Sequence, residues 1–289
     1  MINFQNRFSQ AMILMLWICL MAGPSIAASP VPQKIVSLGP IITDMIYLLK
    51  AEDRLVAVTS YCRLADDSAP KQVVGTVMQM NVEKIISLEP DLVLANALTS
   101  QKQIDALSKQ GLTVLRLPTP RTFDDICQRL IDLGNLIGKP EKALAVVSHA
   151  REQVSQIKSK ALAGPKRKVF IQIGIKPLKT AAKDTFINEY IEFAGGINIV
   201  SQAKDGVYSR EKVLEQNPDV IFIATMGTSQ KAGASEKSSW QRFKFLKAVK
   251  NKEIHILDPD MVCSPTPDKF SNGLVEFFRL IHPVKEKKL

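Results

Sequence analysis

Glu83 and Glu211 hold equivalent places in the two halves of this 289-residue chain. Glu83 follows Asn81-Val82 and precedes Lys84, while Glu211 follows Ser209-Arg210 and precedes Lys212. Each falls in the first turn of an expected helix, where the helix dipole favours a carboxylate by ~0.3–1 kcal/mol. That effect is one sufficient explanation. The other is docking, with one exposed carboxylate per half set to meet a two-fold symmetric partner, and the matched positions favour it. The remaining chemistry lies in loops that follow expected strands. In the first half these loops carry Pro40, Ile41, Tyr61, Cys62, Arg63, Met78 and Asn96; in the second they carry Lys179 and Cys263. Ligands of open α/β sheets bind outside the carboxyl ends of the strands, which makes these residues the candidate ligand contacts. Methionine offers adaptable apolar contact. Arginine and lysine suit carboxylate, amide or phosphate groups. For any one of these residues, closing the fold is an equally good reason to be there. Enzyme motifs are scarce: there is no Walker loop, no G-x-S-x-G elbow and no H-E-x-x-H. His149, His255 and His282 are scattered and suggest no metal cage. The expectation is a non-enzymatic protein with no resident metal or cofactor.

Those loops need elements to carry them, and the chain supplies them in duplicate. Residues 81–95 and 209–223 align without a gap, sharing Glu-Lys, Pro-Asp and the apolar run that follows. Each copy reads as a capping residue, a short amphipathic helix, a turn and a buried strand. A repeat this far apart is no solenoid period. It implies two similar α/β lobes facing one another, hence a cleft. Short apolar strands are expected at 35–38, 55–59, 91–95 and 113–117, then at 169–173, 220–223 and 254–257. Helices between them, at 43–50, 101–110, 187–194 and 272–281 among others, favour mostly parallel sheets covered on both faces. Thr122 opens a helix with a capping-box pattern that ends at Gly138. Pro140 opens another, with Ala143, Leu144, Val147, Ala150, Val154, Ile157 and Ala161 at helical spacing until Gly164. About 24 residues long, it would reach ~36 Å and could cross between lobes while limiting their closure. Residues 227–239, rich in Gly, Ser and Lys, read as a mobile loop, and Trp240 falls at its end. The expected fold is α/β: residues 28–138 and 165–289 form two similar lobes with mostly parallel sheets. One long spanning helix at 139–164 joins them, with the ligand cleft between.

Residues 1–27 have the form of an export signal. Arg7 precedes the apolar stretch 11–22, and Ser25-Ile26-Ala27 supplies small residues at a cleavage site. The stretch is shorter than the ~20 residues of a spanning helix, and an uncleaved anchor is the alternative. Removing it takes away Arg7 and no acid, which lowers the net charge from +10 to +9. A basic exported protein with no interleaved aromatic and basic residues is not a nucleic-acid binder. The runs at 166–168 and 285–288 read as solvated edges. Cys62, Cys127 and Cys263 remain after cleavage, too few for a disulfide framework. Cys127 sits on the apolar side of a helix. Cys62 and Cys263 could pair only if their Cα atoms came within ~7 Å.

The motif Lys34-Ile35-Val36-Ser37-Leu38-Gly39-Pro40-Ile41-Ile42-Thr43-Asp44 resembles the opening of periplasmic binding proteins for cobalamin and ferric siderophores. Val73-Val74-Gly75, residues 81–94, Phe170-Ile171-Gln172-Ile173-Gly174 with Pro177-Leu178, Gly195-Gly196-Ile197-Asn198-Ile199 and Tyr208-Ser209-Arg210-Glu211 resemble that family as well, so the likeness runs from about 33 to 283. The cobalamin branch is the nearest. The resemblance implies two lobes, one long helix between them, and delivery of ligand to an ABC permease dimer with its ATPase subunits in the inner membrane. It implies that Glu83 and Glu211 pair with permease arginines, and that Pro40 and Tyr61 line the cleft. The best-known cobalamin binder has tryptophans at loops matching 76–78 and 95–96 and just before the segment ending in Tyr208, and a phenylalanine near 178–179; none stands here. The expectation is a monomeric periplasmic receptor for cobalamin or a related corrinoid. A ferric-siderophore or heme binder of the same family is the alternative. An exported enzyme acting on a metal chelate is a further one.

Overall fold

Alternation along the short strands decides the layers. In β1 (Ile35–Ser37), Ile35 faces one way and Val36 the other; in β4 (Leu92–Ala95), Leu92 and Leu94 oppose Val93 and Ala95. With both sides apolar, each strand must be covered on both faces, which is the condition for a parallel α/β sheet. The computed structural model describes residues 30–64, 69–200, 203–225 and 230–283. The expected export segment and the basic run at 285–288 lie outside the described residues. Pro32–Leu289 forms one unit that contains two sheets. In the first, β2 (Leu55–Val58), β3 (Gln72–Val73) and β5 (Val114–Arg116) join β1 and β4 in the order β3-β2-β1-β4-β5. In the second, β6 (Lys168–Gln172), β7 (Ile197–Asn198), β8 (Val220–Ile223) and β9 (Ile254–Ile256) run in the order β7-β6-β8-β9. Every pairing between these strands is parallel. The strand order reverses direction between β1 and β4, and again between β6 and β8.

Helices cover both sheets. The first half carries α1 (Pro40–Leu48), α2 (Val82–Ser87), α3 (Gln101–Ser108) and α4 (Phe123–Leu136). Then comes α5 (Pro140–Ala161), 22 residues or ~33 Å. It lies between the two sheets in chain order and packs on α4 and on the last helix, α11 (Pro267–Ile281). The second half adds α6 (Phe186–Phe193), α7 (Arg210–Gln216), α8 (Gln230–Gln241), α9 (Lys247–Lys250) and α10 (Pro259–Cys263). One apolar core unites Leu92 and Leu94 of the first sheet with Ile171 and Phe222 of the second through the buried side of α4, α5 and α11. The opposite faces have cores of their own, Val36, Val93 and Ile85 in one lobe and Phe170, Ile221 and Trp240 in the other. An aromatic column ties the halves together: Phe270 stacks on Phe123 at 4.7 Å and on Tyr190 at 4.2 Å, and Tyr190 stacks on Phe277 at 4.8 Å. Glu189 Oε2 on α6 accepts the Phe123 N–H of α4 at 2.5 Å, a capping contact made across the halves.

Several expectations need correction. α1 starts at Pro40 rather than 43, because proline at the first helical position gives up an N–H that has no partner anyway. α11 starts at Pro267 for the same reason, five residues ahead of the expected 272. Leu144 faces solvent, 54 % exposed, since the buried stripe of α5 passes through Ala143 and Val147 instead. Arg167 is no solvated edge: it pairs with Glu253 at 3.1 Å and donates to the carbonyls of Ile281 and Asp219, pinning the end of α11 to the second sheet. Of the loop expected at 227–239, residues 227–229 lie outside the described residues and 230–239 belong to helix α8, with Trp240 in the same helix fully buried. The segment has weak intrinsic helix preference. Its helix is held by tertiary contacts, because Glu236 and Trp240, one turn apart, both reach Gln172 of β6.

Candidate functional site

The loop after β1 and the loop after β4 meet where the strand order reverses, and side-chain hydrogen bonds lock them together. Thr43 Oγ1 donates to Ser37 Oγ at 2.9 Å, and Ser37 Oγ donates to the Gly39 carbonyl at 3.1 Å, all buried. Asn96 Nδ2 donates to the Leu38 carbonyl, while Asn96 Oδ1 accepts the Leu98 N–H at 2.7 Å. A Cβ on Gly39 would stand 2.8 Å from Asn96 Nδ2, so any larger residue would push the amide off its bond to the Leu38 carbonyl. Beside these loops opens a cavity of about 470 Å³, within the usual range for small-molecule sites. Its walls are Pro40, Ile41 and Ile42 from the start of α1, Tyr61 after β2, Val77 and Met78, Asn96 to Leu98 after β4, and the segment 117–120 after β5. Arg129 of α4 and Cys263 and Ser264 of the second half complete it. Tyr61, Met78 and Leu98 are 67, 65 and 66 % exposed, an apolar wall held open to solvent.

Of the residues singled out from sequence, Pro40, Ile41, Tyr61, Met78, Asn96 and Cys263 line this cavity, whereas Cys62, Arg63 and Lys179 do not. Cys62 Sγ lies 3.2 Å from Thr43 Oγ1, behind the loop. Arg63 points to solvent. Lys179 is exposed, and its backbone bridges Gly174 and Val207 in the second lobe's own turn. Cys62 and Cys263 are both free thiols. Burial, then the charges of Asp258 and Asp260, push the Cys263 thiol up to about 12, which makes it a neutral wall group at physiological pH. The segment 117–120 and Arg129 are lining residues that sequence reasoning missed, while Leu98 falls in the loop 96–100 that it had marked. The position of 117–120 after a strand would have flagged it by the rule that flagged the other loops. Arg129 carries no local signal, because its facing depends on where α4 packs.

Glu83 and Glu211 lie in the first turns of α2 and α7, exposed and without a hydrogen bond or ion pair among the described residues. Their helices are capped alike: Asn81 Oδ1 accepts the Lys84 N–H at 2.9 Å and Ser209 Oγ accepts the Lys212 N–H at 3.2 Å. Under α7, Arg210 pairs with Glu236 at 2.9 Å and lies 4.4 Å from the Trp240 ring, and Trp240 Nε1 donates to Gln172 at 2.7 Å. The histidines stay apart in structural roles. His255 bonds Glu253 at 2.8 Å, His282 bonds the Ala194 carbonyl at 2.8 Å, and His149 is exposed. Among the described residues no cluster could hold a metal ion, and no helix is long and apolar enough to cross a membrane.

Two parallel α/β sheets on a shared helical layer, with an apolar cavity outside the carboxyl ends of the strands, define a two-lobed ligand-binding protein. The periplasmic binding protein family matches residues 35–261, and the chain belongs to it. An uncharacterized ABC transporter substrate-binding lipoprotein, YvrC, of Bacillus subtilis is 32 % identical over 265 residues, covering 87 % of this chain and 81 % of that relative. A vitamin B12-binding protein of Vibrio cholerae is 30 % identical, covering 84 % of this chain and 88 % of its own. Among solved structures, the periplasmic vitamin B12-binding protein BtuF of Vibrio cholerae superposes with a TM-score of 0.73 at 26 % identity, covering 86 % of this chain and 96 % of that one. The periplasmic heme-binding protein HutB of Vibrio cholerae reaches 0.77 at 21 % identity, covering 87 and 99 %, and shares the fold.

Proposed function

We propose that this protein is the periplasmic substrate-binding component of an ABC importer. In this reading it captures cobalamin or a related corrinoid and hands it, chemically unchanged, to an inner-membrane permease dimer with its ATPase subunits. The observation that carries the reading is the cavity at the first sheet's reversal point. Three large apolar side chains stand there two-thirds exposed, a surface whose burial by a broad apolar ring releases ~1.5–3 kcal/mol per side chain. Export through residues 1–27, a monomeric state and transport of the metal centre only as cargo complete the proposal. Glu83 and Glu211 serve as the docking charges, one in each lobe. Cobalamin is preferred over heme because the sequence relatives at 28–30 % identity include vitamin B12-binding proteins, whereas the heme-binding neighbours at 21 % identity or less share only the fold.

Calorimetric titration of the mature protein with cyanocobalamin, hemin and a ferric siderophore tests this. One-to-one saturable binding of cyanocobalamin, with the ligand recovered intact, is the expected result. Binding of hemin or the siderophore alone overturns the corrinoid assignment while keeping the receptor. Chemical conversion of any of the three makes the protein an enzyme.

A further inference from the structure

Arg129 is the charged member of the cavity wall, and no acid stands with it among the described lining residues. The side chain is half-buried on α4 and makes no hydrogen bond or ion pair among the described residues. The acids of its own helix make their hydrogen bonds elsewhere, and Asp125 reaches Arg129 through its charge alone. Asp125, one turn earlier, accepts the N–H groups of Arg121 at 2.8 Å and Thr122 at 3.1 Å as the helix cap. Asp124 pairs with Arg151 at 3.1 Å, and Asp132 accepts from Gln128 at 2.8 Å. Burial lowers the Arg129 pKa from its ordinary value, with Asp125 opposing, yet a guanidinium stays charged at neutral pH. A guanidinium carries five N–H donors, and withdrawing them from water beside an apolar wall is unfavourable unless an acceptor arrives. The first turn of α1 opens on the same cavity with no side-chain cap and no acid, so the field there carries the same sign.

We propose that Arg129 is the anchor for an oxyanion on the ligand, a carboxylate or phosphate group that enters with an apolar body against Tyr61, Met78 and Leu98. The site therefore selects amphiphilic anions. This anion preference stands on the cavity itself; only the identity of the natural ligand rests on the receptor reading. Cobalamin would offer its phosphodiester and heme its propionates.

Two fluorescent probes of one skeleton isolate the charge: 1-anilinonaphthalene-8-sulfonate and N-phenyl-1-naphthylamine, which lacks the sulfonate. Arg129→Gln should weaken the sulfonate about ten- to a hundredfold and leave the neutral probe unchanged. Arg129→Lys should restore part of the loss. Leu98→Ser, which removes wall and no charge, should weaken both probes alike. If the wild type does not bind the sulfonate, or Arg129→Gln weakens the two probes equally, the anchor is wrong. The same variant distinguishes the two natural oxyanions. A penalty for cyanocobalamin but none for cobinamide, which lacks the phosphodiester, assigns the phosphate; a penalty for hemin but none for its dimethyl ester assigns the propionates. A sulfonate effect with no binding of any chelate supports the anchor and removes the chelate reading.

Discussion

Met78 and Leu98 are apolar side chains of the cavity wall that the fold leaves open to solvent. Each is two-thirds open to solvent, so neither contributes much to the native state, and each offers its apolar area to whatever fills the cavity. Met78→Ser and Leu98→Ser should each weaken ligand about tenfold, ~1.4 kcal/mol, with the melting temperature unchanged. A lowered melting temperature with unchanged affinity would place them in the fold rather than the site. Cys263, on the same wall, makes the opposite point. Its thiol is pushed up to about 12, by burial first and then by Asp258 and Asp260, and stays protonated at neutral pH. Site-resolved alkylation with iodoacetamide should be slow at pH 7 and rise about tenfold per pH unit through pH 9. A plateau below pH 10 contradicts that. The sequence read Cys263 as part of a loop after a strand, whereas it ends helix α10 and stands on the cavity wall; its protonation depends on burial and two aspartates that no local pattern names.

Between elements, Lys269 joins three helices. Its ammonium lies 2.7 Å from Asp44 of α1 and 2.7 Å from Asp260 of α10. These groups are about a quarter exposed, so the tie is worth less than a fully buried pair. The Lys269 pKa is raised: its hydrogen bonds to Asp260 and Asp44 outweigh the largest single influence, burial. Its contribution is therefore complete below its ordinary 10.5 and is lost as pH rises through the higher folded value. Asp44 is also raised, burial outweighing its bond to Lys269, so its ionised form opposes folding. That opposition fades as pH falls through the raised value. Lys269→Met should destabilise the protein by about 1–3 kcal/mol at pH 7 and by less near pH 4, where the stranded carboxylates take up protons. Equal losses at both pH values in urea unfolding would show that packing, not charge, explains the effect. The helices were legible where a side-chain cap marked them, as at Asn81, Thr122 and Ser209, whereas the proline starts at Pro40, Pro259 and Pro267 went unread. α8 was not, because a Gly- and Ser-containing segment turns helical only when Trp240 and Glu236 find Gln172.

At the scale of the molecule, the core shared by both sheets and the aromatic column from Phe123 to Phe277 join the lobes. A receptor built this way presents its two lobes, and the charges on them, as a preformed surface. Glu83→Lys together with Glu211→Lys should abolish uptake in a transport assay while leaving ligand affinity intact. Normal uptake by the double variant sinks the docking role and returns both glutamates to helix-dipole partners.

Periodicity and capping along the chain were enough to establish two α/β halves, their strands and loops, and the matched glutamates. Those features depend on neighbours a few residues apart: alternation buries both faces of a strand, and Asn81 and Ser209 cap their own helices. Tertiary structure alone decided which strand-end loops share a cavity. It placed Pro40, Tyr61, Met78 and Asn96 on one wall and turned Lys179 into a turn of the second lobe. It also brought Arg129 from the middle of α4 to the cavity wall. A residue's facing across a helix layer is set by contacts dozens of residues distant, and no local pattern encodes which partner will meet it.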